Sequence, residues 1–97
     1  MLFIMYCVDK PEHEQVRAAN RGQHLEYLKK FESQVILAGP TLAENGQRMT
    51  GSVLFVEFPD RAAVEEFSRN DPYTKAGLFE SVVIRPWRKT IGKGFTE

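Results

Sequence analysis

Seven consecutive apolar residues, Leu2-Phe3-Ile4-Met5-Tyr6-Cys7-Val8, stop at Asp9-Lys10-Pro11. A run this short, closed by a turn signal, reads as a strand. Side chains alternate along a strand, so Leu2, Ile4, Tyr6 and Val8 point one way and Phe3, Met5 and Cys7 the other. Both faces are apolar, and such a strand needs cover on both sides. Gly51 to Phe58 repeats the pattern, with Val53 and Phe55 on one face and Leu54, Val56 and Phe58 on the other.

The remaining segments supply cover for one face. A helix is expected over Pro11 to Glu32, with Asn20 to Gly22 as its weak point. Gln34 to Ala38 reads as a strand closed by Gly39-Pro40, and Asn45-Gly46 marks a hairpin. Asp60 can cap a helix over Arg61 to Ser68, and Asp71-Pro72 can start a short turn ending near Gly77. The fourth strand is expected over Phe79 to Ile91, interrupted at Pro86. Residues 1–91 then form one domain and 92–97 a mobile tail. The order βαββαβ predicts an α+β, ferredoxin-like antiparallel sheet with both helices on one face. A second copy packing sheet to sheet is the simplest cover for the other face. The expectation is a homodimer, with higher assembly left open. The alternative is a monomer with a bare apolar face, which is uncommon.

Lys plus Arg and Asp plus Glu number 13 each, so the formal charge is zero and a nucleic-acid partner is not expected. No apolar run approaches the ~20 residues that cross a bilayer, and no signal-peptide pattern opens the sequence. The single cysteine, Cys7, allows no internal disulfide, which fits a reducing, cytoplasmic location. Two histidines and one cysteine, widely separated, give no metal-ligand spacing. Neither a phosphate loop nor a dinucleotide fingerprint occurs, so no cofactor is expected.

On a helical wheel His24 falls between Leu28 and Phe31, and Arg17, Asn20 and Arg21 extend that stripe. A core-facing helix has no packing reason to carry such residues, whereas a polar pocket would. In the ferredoxin-like topology, helix one begins at the end of the sheet that also holds Gly39-Pro40-Thr41 and the segment Asn70-Asp71-Pro72-Tyr73. His24 and Asp71 are the candidate catalytic pair, with either as the acid or base and the other as its orienting partner. Arg17 and Arg21 are candidates for holding a substrate carboxylate, and Gly39, Pro40 and Tyr73 for the pocket wall. Plainer roles stand beside these. Asp71 could serve only as an N-cap, His24 could be a structural core histidine, and the arginines could reach solvent.

The series His24-x-x-Tyr27-Leu28, Ala38-Gly39-Pro40, Gly51-Ser52-Val53-Leu54, Asp71-Pro72-Tyr73 with Ala76-Gly77-Leu78-Phe79, and Val83-Ile84-Arg85-Pro86-Trp87 resembles the YciI (YCII-related) family. The resemblance covers nearly the whole chain. It implies a dimeric α/β barrel of ferredoxin-like protomers and an active site with a His and an Asp, which map onto His24 and Asp71. Relatives in that superfamily include muconolactone isomerase-like proteins and an enzyme that removes chloride from a chlorinated hydroquinone. The leading expectation is therefore a cofactor-independent isomerase or lyase acting by proton transfer on a small aromatic or carboxylate-bearing molecule. A non-catalytic ligand-binding or regulatory module and a purely structural dimerisation domain are the alternatives.

Overall fold

The computed structural model describes residues 1–94. The elements are β1 (Leu2–Asp9), α1 (Glu14–Lys30), β2 (Val35–Leu42), β3 (Met49–Glu57), α2 (Arg61–Arg69), α3 (Pro72–Lys75) and β4 (Phe79–Pro86). They build an antiparallel sheet in the order β2-β3-β1-β4, the ferredoxin-like arrangement. The two strands apolar on both faces, β1 and β3, are the central pair.

One sheet face carries the helices. Phe3, Met5 and Cys7 of β1 meet Leu54 and Val56 of β3, Phe58, and Val64 and Phe67 of α2 in a buried core. Phe67 packs against the rings of Tyr27, Phe31 and Phe58 at centroid distances of 5.4, 5.0 and 5.1 Å. Truncating a buried aromatic in such a cluster costs about 3–5 kcal/mol. On the opposite face, the register sets Val53 and Val83 either side of Tyr6, and Phe55 opposite both Ile4 and Leu37. Tyr6, Leu37 and Val83 are 48%, 50% and 45% exposed, so this second apolar layer is bare in the single chain.

Beyond shifts of one or two residues at other ends, the elements depart from expectation in four respects. The first helix begins at Glu14 rather than Pro11, because Glu12 takes a left-handed φ of 60° that no helix continues. It runs unbroken through Gly22 to Lys30; one glycine costs a helix only about 1 kcal/mol relative to alanine. Gly39-Pro40 does not close the second strand but lies inside it, since β2 runs to Leu42. As β2 is an edge strand, Pro40 can leave its missing N–H on the unpaired side. The fourth strand ends at Pro86 rather than Ile91, and the Trp87 N–H bond to the Leu2 carbonyl follows it. Of the expected tail, residues 95–97 lie outside the described residues.

Candidate active site

Because α1 is continuous, Arg17, Arg21 and His24 keep a common phase and face the polar end of the core. His24 and Asp71, 47 positions apart, meet there with Nδ1 2.9 Å from Oδ1. The residues are 7% and 4% exposed. The same oxygen accepts the Tyr73 backbone N–H at 2.9 Å, capping α3. Asp71 is thus an N-cap and a histidine partner at once. A carboxylate oxygen only accepts, so His24 Nδ1 is the donor and the neutral ring keeps its lone pair on Nε2.

Tyr73 is the platform for this cluster. Its ring stacks on His24 with centroids 3.9 Å apart, and the Arg17 guanidinium carbon lies 4.6 Å from the same ring centroid. Burial pushes the Tyr73 phenol up, against the opposing pull of Arg17 and Arg21.

Arg17 is almost wholly buried, at 5% exposure, and its charge is matched. Nε donates to Asp9 Oδ2 at 2.8 Å and Nη2 to Asp9 Oδ1 at 3.0 Å, a two-point pairing. Nη2 also donates to Ser52 Oγ at 2.9 Å. Burial disfavours the guanidinium charge, but the Asp9 pairing outweighs it and the Arg17 pKa is raised. Asp9 and Ser52 are not among the site residues expected from the sequence, although Ser52 lies in the Gly51-Ser52-Val53-Leu54 segment of the family resemblance. The signal for Asp9 was an acid ending an apolar strand beside the start of α1. Ser52 sits opposite Cys7, a register that only the folded sheet reveals.

A cleft of about 130 Å³ opens between α1 and the outer half of the sheet. Arg17, Arg21 and His24 line its α1 side, with Leu25 and Leu28 beyond them. Ser52 and Leu54 of β3 form its floor, and the small residues Ala38, Gly39 and Pro40 of β2 leave its edge open. Tyr73 completes the wall. Asp71 does not line the cleft; it stands behind His24, whose Nε2 is the ring nitrogen left for a ligand. The expected residues His24, Arg17, Arg21, Gly39, Pro40 and Tyr73 therefore converge on one cavity. Among the described residues, no group of three or more His, Cys, Asp or Glu side chains is arranged to hold a metal ion. No helix among them is long and apolar enough to cross a membrane.

The chain is 31% identical to protein YciI of Escherichia coli over 98 residues, covering 94% of this chain and 100% of that protein. It is 30% identical to an uncharacterised Haemophilus influenzae protein with the same coverage. Among solved structures, it superimposes with a TM-score of 0.87 and 38% identity on 5-chloro-2-hydroxyhydroquinone dehydrochlorinase from Burkholderia phenoliruptrix, in complex with 2,5-dihydroxybenzoquinone, over 93% of this chain and 96% of that one. An antibiotic biosynthesis monooxygenase matches at TM-score 0.52 and 18% identity over 92% of this chain and 100% of that one, a likeness of fold alone. The YCII-related domain family matches residues 1–88, and with relatives this similar over their full length, the chain belongs to that family.

Proposed function

We propose that the cleft is the acid–base site of a small-molecule enzyme that needs no cofactor. His24 Nε2 takes a proton from the bound ligand, and the imidazolium formed is held by Asp71 through Nδ1. The electron pair left on the ligand either expels an anionic leaving group or takes the proton back at another atom. The products are accordingly those of a lyase or an isomerase.

One observation carries this reading: a buried carboxylate fixes one imidazole nitrogen while the ring lines an open cavity. A histidine of purely structural use has no reason to border a cavity. Size narrows the ligand, since a cavity of ~150 Å³ accommodates a benzene ring and this cleft is slightly smaller. A single ring or a compact carboxylic acid fits. The dehydrochlorinase that this chain resembles acts on a single-ring hydroquinone, which favours the aromatic class. A homodimer formed through the bare sheet face, in the cytoplasm, belongs to the same proposal.

The test is chloride release from 5-chloro-2-hydroxyhydroquinone by the wild type, His24→Gln and Asp71→Asn. Removing the base costs roughly 100-fold or more in turnover. Asp71→Asn keeps an oxygen to cap α3, so it loses turnover while its melting temperature stays near the wild type's. Equal turnover in all three proteins would defeat the acid–base assignment. Binding without turnover of this or related single-ring acids would leave a sensor.

A further inference from the structure

Two of the three cationic or potentially cationic side chains at the cleft are matched by carboxylates. Arg17 has Asp9, and His24 has Asp71. Arg21 has none among the ion pairs of the described residues. Its helical neighbours three and four positions away are Arg17, Ala18, His24 and Leu25, so α1 supplies no acid to answer it. The nearest acid upstream on that helix, Glu14, is paired with Arg48 at 3.6 Å. Across the cleft stand Ala38, Gly39 and Pro40, which carry no charge.

Arg21 is thus a cation in a cleft wall, placed one turn from a second arginine. Like charges at that spacing are unfavourable. Arg17 cannot serve a ligand with its full charge, because Asp9 and Ser52 already hold it. Ser52 uses its oxygen to accept from Arg17, and its own hydroxyl proton is left for an acceptor in the cleft.

We infer that the cleft takes its ligand in anionic form, as a single-ring carboxylate, phenolate or enolate, with Arg21 as the residue that receives the negative charge and selects for it. This deepens the small-molecule reading above and rests on it. The guanidinium fork suits the two oxygens of a carboxylate and can also donate to the one oxygen of a phenolate or enolate, and a partly solvated site makes the preference sensitive to salt. An anion bound beside His24 also keeps its acidic positions within reach of Nε2.

The experiment is calorimetric titration with benzoate and its neutral isostere benzamide, at low and high ionic strength. Wild type binds benzoate more tightly, by roughly tenfold, as a charge-assisted hydrogen bond requires. Arg21→Gln reduces benzoate to the level of benzamide and abolishes the salt dependence. Arg21→Lys keeps the charge without the fork and retains part of the preference. Arg21 is exposed and mid-helix, so both variants fold. Equal binding of the two probes, a preference that survives in Arg21→Gln, or no binding of benzoate by the wild type would overturn the inference. His24→Gln separates the two proposals. An Arg21-dependent preference with turnover unchanged in His24→Gln removes the acid–base chemistry and leaves anion selection standing.

Discussion

Arg17 and Asp9 meet through two hydrogen bonds of 2.8 and 3.0 Å, with side chains only 6% and 8% exposed. The pair joins the first turn of α1 to the end of β1, where the cleft begins. It also fixes the guanidinium against Tyr73, on which His24 stacks.

Cutting that pair on one side leaves a buried, unanswered charge. Asp9→Ala is expected to cost about 3–5 kcal/mol, far more than an exposed pair such as Arg61–Glu65 would. Urea denaturation measures this. A loss under about 1 kcal/mol would mean that water reaches Arg17 and the pairing is weak.

The cleft is open because β2 presents small residues at its edge. Ala38 lies opposite Leu54, on the helix-facing side, and is itself exposed. Ala38→Leu should fill the cleft without disturbing the core. Ligand affinity is expected to drop at least tenfold, while stability changes by no more than about 0.5 kcal/mol. Unchanged affinity would place the ligand elsewhere.

Burial pushes the Cys7 thiol up to about 12, with the neighbouring Asp71 charge adding to it, and burial likewise takes the Tyr27 phenol up to about 12. In the unfolded chain a thiol ionises near ~8.5 and a phenol near ~10. Between those values and about 12 the unfolded state has released protons that the folded state retains. Stability is therefore fully present at neutral pH and declines as pH rises through that window. The denaturation midpoint should begin to fall above about pH 9, and Tyr27→Phe should flatten the fall above about pH 10. A flat midpoint up to pH 11 would show that both groups ionise freely in the fold.

Tyr6 lies at the middle of the bare sheet face, flanked by Val53 and Val83. If a second copy covers that face, the wild type sediments at twice 11.1 kDa and Tyr6→Lys sediments as a single chain. A wild type of single-chain mass would refute the dimer.

Much of this site is legible in the amino-acid sequence. The stripe from Arg17 to His24 and the ferredoxin-like topology together brought His24 to Asp71 across 47 positions. The N-cap and the histidine partner, weighed as rivals, proved to be one oxygen serving two donors. What escaped was information held in pairing. Arg17 reads as a free clamp until Asp9 and Ser52 are set beside it, and both depend on strand register. Gly39-Pro40 reads as a stop because nothing local says that β2 is an edge, the place where proline is tolerated.

Pro40 carries a further consequence. A free strand edge is a template onto which other chains can add, and it works through an unbroken row of N–H donors. Along β2 that row has a gap at Pro40, beside the mouth of the cleft. Extension of the sheet into a ribbon of stacked copies is thereby discouraged on this side. If the apolar layer centred on Tyr6 does find a mate, it meets it flat against another layer, and the entrance past Ala38 stays unobstructed for whatever diffuses in.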